Sequence, residues 1–222
     1  MYRDLAMFEN IEMVTDCLHA TETKYRDTMI MSWTLYKEII TYTGDKFSDD
    51  FIRLVYKTLD EWGMNARAAE LNKFEDFSQS IIENKYAIEF LYKYNIKQLG
   101  KNIYVKERLE TLFSLLRLAA ANKPPLVTFA KTMHFFLPEL IVPIDRKFIV
   151  KYFTNNTTIP DGIEEQFQFF LDVEKEFSKF SNKVDLSQFV SINNRWNIKE
   201  TKIMDNMIIG YTLLQDNANS RN

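Results

Sequence analysis

The stretch KTMHFFLPELIVPIDRK, residues 131–147, gathers three residue types that can do covalent or acid–base work: Lys131, His134 and Asp145. A lysine attacks carbon only as the free amine, which requires burial or a neighbouring cation to lower its pKa. Otherwise it contacts phosphate or faces solvent. His134 falls three residues after Lys131, on the same helix face, and can serve as acid or base; a hydrogen-bonded core histidine is the alternative. Asp145 follows Pro138 and Pro143, which restrict its approach. Its basic neighbours favour the ionised form, ready to stabilise a cation or orient water, whereas the structural alternative is an N-cap worth about 1 kcal/mol. These three are the candidate catalytic residues.

Charge points to the same stretch. The chain carries a formal charge of −3, which argues against indiscriminate nucleic-acid binding. The distribution is uneven: residues 1–96 hold 11 Lys and Arg against 17 Asp and Glu, residues 97–155 hold 10 against 4, and residues 156–222 hold 7 against 10. A polyanion is therefore expected on the middle third, with Arg146, Lys147, Lys151 and Lys123 among its contacts. The alternative is that these cations pair with the acidic first third, where each surface pair contributes little. Trp62, with Asn65 and Arg67 beyond Gly63, offers a pocket lip or a stacking surface for a base; core packing is the alternative for the tryptophan. NNRWNIKETK, residues 193–202, sets Arg195, Trp196, Lys199 and Lys202 together and suits either nucleic acid or the start of a last helix.

Other chemistries find less support. Two histidines far apart and a single cysteine, Cys17, make no His or Cys metal motif, and Asp60 with Glu61 has no spacing that predicts one. No metal and no cofactor are expected. Cys17 reads as a core thiol in a reducing cytoplasm. Glycine-rich phosphate loops are absent from the sequence. No segment approaches the roughly 20 apolar residues of a membrane span, so a soluble cytoplasmic protein is expected.

The elements that must position these residues read as helices. The 222 residues are 46% hydrophobic, with 18 Phe and 11 Tyr but only 5 Gly and 5 Pro, too few turn formers for a sandwich or barrel. Periodicity predicts helices over 4–18, 25–42 with a left-handed cap at Gly44, 48–62 capped by Ser48 and closed by Gly63, 74–94, and 105–121 as the central helix. Shorter helices follow over 126–136, 146–153 and 163–180, then a last one over 199–214 with a frayed tail. The expected fold is all-α: one compact helical domain over 1–222, of about eight to ten helices by this periodicity, its lobes if any being 1–96 and 97–222.

Two passages resemble a family of prokaryotic proteins of unassigned activity: WGMNARAAELNKFEDF at 62–77 and KTMHFFLPELIVPIDRKFIVKYF at 131–153. The shared features are a Trp-Gly-Met turn, then a Lys, a His, a Leu-Pro and a Pro-Ile-Asp-Arg. The second passage also resembles the core of the helix-hairpin-helix DNA glycosylases, where a Lys-Thr helix precedes a proline-bearing turn and a capping Asp. That resemblance implies that Asp145 assists departure of a base and that Lys131 attacks the sugar. The Lys-to-Asp interval is shorter here, and LVTFA stands where those enzymes carry a Gly-hydrophobic-Gly hairpin. The resulting expectation is a DNA- or RNA-binding protein of glycosylase-like architecture that processes a base or nucleotide. The alternative is a non-catalytic helical module for a protein partner.

Overall fold

Ser48 accepts a hydrogen bond from the Phe51 amide at 3.3 Å, and Asp49 and Asp50 occupy the first turn that follows, where the helix dipole favours anions. These residues start α3, Asp49–Glu61, in the computed structural model, which describes residues 2–66 and 70–219. Phe51, Ile52, Val55, Thr58 and Leu59 form its buried stripe, and Gly63 ends it at φ 77°, a left-handed conformation natural to glycine. The described residues form eleven α-helices. Before α3 come α1, Ile11–Tyr25, and α2, Ile30–Ile40; after it α4, Phe74–Glu83, and α5, Lys85–Leu91. Then follow α6, Ile96–Leu99, α7, Ile103–Leu115, α8, Pro125–Phe136, α9, Lys151–Thr154, α10, Ile163–Ser181, and α11, Glu200–Asn219. A π-helical turn, Arg146–Val150, precedes α9, and 3-10 turns occupy Ala6–Glu9 and Ser187–Phe189.

The all-α class holds, with corrections to its parts. The expected central helix over 105–121 ends at Leu115, because the amides and carbonyls beyond it are taken elsewhere. The Arg117 amide donates to Ser80 Oγ at 2.8 Å, and residues 118–120 pair with 70–72 through an isolated antiparallel bridge, Leu71 to Ala119. Leu115 is exposed. The central helix is α8, ten of whose twelve residues are buried, packed against α3 and α10. Pro125 starts it without losing a needed N–H, and Pro138 lies just past its end.

Gly44 is not a left-handed cap, and α2 stops earlier, at Ile40. The expected 74–94 helix breaks at Asn84, whose side-chain amide donates to the Ser80 carbonyl at 2.8 Å. The tail expected to fray past Leu214 continues as α11 through Asn219. Arg67 and residues 220–222 lie outside the described residues.

Buried side chains from Leu5 to Ile209 form one contiguous hydrophobic cluster, and α11 packs along α1. No helix among the described residues is long and apolar enough to cross a membrane.

Candidate functional site

A cleft of about 770 Å³ opens between α1, α8, α11, the turn after α3 and the segment around Asp145. Lys131 and Val127, one turn apart on α8, form part of its wall. Trp62, Gly63 and Met64 come from the turn that Gly63 makes possible. Lys202, Asp205, Asn206 and Ile209 line it from one face of α11, at the i, i+3, i+4, i+7 spacing. Tyr25 and Trp196 add two more rings, and Asp145, Arg146 and Lys147 complete it. Lys131 and Asp145 therefore meet in one cleft, together with Trp62, Arg146 and Lys147.

His134 does not join them. It is fully buried, and its Nδ1 lies 2.7 Å from the Ile141 carbonyl, which can only accept. Nδ1 thus carries the proton, and Nε2 accepts from the Tyr36 hydroxyl at 3.1 Å. Tyr36 also stacks on the imidazole, their planes within 8°. Burial holds the histidine neutral, its pKa lowered to about 3 despite the carbonyl, with Lys202, Lys199 and Lys46 adding to the depression. An imidazole this hard to protonate and closed off from the cleft is not an acid or base for it; the shared helix face was right, but that face turns inward at residue 134.

His134 holds the backbone that delivers Asp145. One residue past its bond to Ile141, the Val142 amide donates to both carboxyl oxygens of Glu174 on α10, at 3.1 and 3.2 Å. Glu174 is fully buried, and desolvation raises its pKa well above the ordinary carboxylate range, opposed only by that amide. The two side chains clamp consecutive residues of a buried, non-helical segment whose backbone groups have no ladder to satisfy them. Asp145 then enters extended, φ −125° and ψ 164°, and its Oδ1 accepts the Phe148 amide at 2.6 Å. The cap role expected of it is real, and it occupies one carboxylate oxygen.

Lys131 Nζ donates to the Trp62 carbonyl at 3.3 Å and lies 5.7 Å from the indole centroid. Desolvation is the main cause of a pKa below the usual lysine range; Asp145 and Asp205 oppose it, and Lys202 reinforces it. Lys202 is buried, ion-paired with Asp205, and stands 5.0, 5.5 and 6.0 Å from the rings of Trp62, Trp196 and Tyr36. Burial raises the Asp205 pKa against the pull of Lys202. Two ammonium groups and two carboxylates thus share an aromatic-walled space.

The remaining expected contacts divide. Lys123 pairs with Glu70 at 3.4 Å and Lys151 with Asp216 at 3.8 Å, and neither lines the cleft. Arg117 and Lys97 are likewise paired, with Glu83 and Glu200. Lys123 and Arg117 pair with the acidic first third, as the alternative expected, whereas Lys151 and Lys97 pair with the last third. Arg146 and Lys147 have no carboxylate within 4 Å among the described residues; Arg146 Nε donates to the Thr157 carbonyl at 3.0 Å. Asn65 is spent on structure, donating to Asp60 and accepting the Leu71 amide, both at 2.9 Å. Glu61 likewise accepts from Ser32 at 3.1 Å.

Asp205, Asn206 and Glu174 escaped the sequence reading. A signal was there for α11, since Asp205 and Asn206 interrupt the apolar run from Ile203 to Ile209 that Lys202 precedes, and such polar interruptions need partners. Comparison of the chain with protein-family models, curated proteins and solved structures gives no match. The chemistry of the cleft therefore has to carry the functional reading.

Proposed function

We propose that the cleft seats one base of a nucleic acid, that Arg146 and Lys147 hold its phosphate, and that Lys131 with Asp145 processes the nucleotide. One observation carries this: an amine with a lowered pKa and a proline-delivered carboxylate, from separate elements, face one cleft walled by Trp62, Trp196 and Tyr25. Its volume falls within the roughly 300–1,000 Å³ of sites for small molecules and cofactors. Indole and phenol rings stack on any base, contributing about 1–3 kcal/mol each, and arginine suits phosphate.

The chemistry follows from the two groups. Free Lys131 amine forms a bond to the anomeric carbon as the bond from that carbon to the base breaks; the base leaves with the electron pair and takes up a proton. Asp145 stabilises the positive charge that develops on the sugar. The resemblance of residues 131–145 to the glycosylase core supports the same assignment. Lys131 then remains joined to C1′, and ring opening to an imine gives a species that borohydride traps.

Binding is tested by fluorescence anisotropy of a labelled oligonucleotide across a salt series. The Arg146→Glu, Lys147→Glu double variant is expected to bind at least about 10-fold more weakly and to lower the salt slope by about 1.4, the value for two phosphate contacts on a single strand. Chemistry is tested by borohydride trapping on DNA carrying an abasic site: Lys131→Met should abolish the adduct. Asp145→Asn keeps a capping oxygen, so stability should change by no more than about 1 kcal/mol while processing falls about 100-fold or more. Salt-insensitive or absent binding, or an adduct that survives Lys131→Met, would overturn the reading.

A further inference from the structure

The motif NNRWNIKETK places Trp196 in the cleft and leaves its neighbour Arg195 at the edge, where one guanidinium nitrogen donates to the Arg26 carbonyl. The guanidinium also lies 5.6 Å from the Trp33 ring centroid. Arg26 follows Tyr25 at the end of α1, and the turn it enters reaches Met29; both Tyr25 and Met29 line the cleft. The Arg195 guanidinium is thus fastened to the backbone of a second arginine, Arg26, beside the site, from parts of the chain 169 positions apart. No carboxylate among the described residues comes within 4 Å of either guanidinium, and Asp27, next in sequence, pairs with neither. Arg195 has five N–H donors and uses one on the Arg26 carbonyl. At the same cleft Arg146 and Lys147 form a second unpaired couple, on a different element.

We infer that the ligand is a single strand whose backbone is held at two anchors around the cleft, Arg146 with Lys147 and Arg26 with Arg195, while one base enters the cleft against Trp62. This rests on the nucleic-acid reading above and adds the form of the substrate and a second contact surface. A single strand already presents unstacked bases, whereas a duplex must first extrude one at a cost of a few kcal/mol. Anchors on separate elements also favour a backbone that can bend freely to both. Inside the cleft Lys131 and Lys202 are matched by Asp145 and Asp205, whereas the cations at the rim have no carboxylate partner among the described residues, so the phosphates are held at the rim and the neutral base goes in.

The test compares octathymidylate, followed by anisotropy, with thymidine monophosphate, followed by quenching of tryptophan fluorescence, and with a hairpin duplex. Arg26→Glu, whose side chain makes no hydrogen bond or ion pair among the described residues, should weaken octathymidylate binding about fivefold or more at low salt and lower the salt slope by about 0.7. Its affinity for the mononucleotide should stay within about twofold, because that ligand does not reach the second anchor. Arg195→Lys keeps the charge and should retain octamer binding within about threefold, which separates loss of charge from damage to the packing on Trp33. The duplex should bind about 10-fold more weakly than the single strand. Unchanged octamer affinity in Arg26→Glu, or a duplex bound as well as the single strand, overturns the two-anchor track. If the octamer binds no tighter than the mononucleotide, the track falls and the base-seating cleft stands; if the wild-type chain binds neither, both fall.

Discussion

Gly210→Ala is expected to destabilise the protein by about 3 kcal/mol, lowering the melting temperature by about 6–12 °C. The position is inside α11, where alanine would ordinarily gain about 1 kcal/mol over glycine. Here a Cβ would lie 1.8 Å from the Cys17 carbonyl oxygen and 2.4 Å from its carbon, both backbone atoms of α1. Backbone cannot rotate out of the way as a side-chain tip can, so one helix has to move. The displaced surfaces carry the site, since α1 presents Thr21 and Tyr25 to the cleft and α11 presents Lys202, Asp205, Asn206 and Ile209. Ligand binding should therefore weaken along with stability. Gly63→Ala is the matched control: nothing lies within 4 Å of its added Cβ, so only the positive φ opposes it, at about 1–2 kcal/mol. Thermal melts of the two variants, with Gly63→Ala the more stable, check the ordering. An unperturbed Gly210→Ala melt would show that α1 and α11 do not pack this closely.

The clamp on residues 141–142 yields the second large effect. His134→Phe fills much of the space but strands the Ile141 carbonyl and the Tyr36 hydroxyl, both buried, and should cost about 3 kcal/mol at pH 7. The cost should shrink in acid. Folded His134 titrates at about 3, and an unfolded histidine at about 6.5. Below pH 6.5 the unfolded chain takes up a proton that the folded chain refuses, so wild-type stability falls as pH falls, by about 2 kcal/mol at pH 5 from this group. The variant lacks that loss, and its deficit should narrow to about 1 kcal/mol at pH 5.

Glu174 has the opposite sign. Its raised folded pKa makes its contribution complete below the ordinary carboxylate pKa and progressively lost as pH rises. Glu174→Gln keeps an acceptor for the Val142 amide without an ionisation to suppress, so it should gain on the wild type between pH 5 and pH 8. Urea unfolding of the three proteins at several pH values reads both trends. Parallel curves for wild type and His134→Phe would mean that the histidine is not held neutral in the fold.

Much of the architecture was legible because it is local. Ser48 and Asp145 announce their helices through a side-chain oxygen placed to meet an amide three residues on, and Pro138 and Pro143 rule out helix between them. The errors came where tertiary bonds outbid a local preference. Leu116 to Ala120 have helical composition, yet Ser80 and residues 70–72 claim their backbone. His134 shares a helix face with Lys131, but α8 is buried along most of its surface, so spacing alone could not say which residue reaches the cleft.

From residues alone came the helical class, the basic middle third and the pairing of Lys131 with Asp145 as the place to look. Each depends on composition or on contacts within a few positions. Only the folded chain decided that Lys131 and Asp145 share a cleft with Lys202 and Asp205, that His134 and Glu174 serve as its clamp, and that Lys123 and Lys151 are neutralised while Arg146 and Lys147 are not. The reason is physical: desolvation and Coulomb terms depend on distance in space, and groups far apart in sequence acquire that distance only when helices pack.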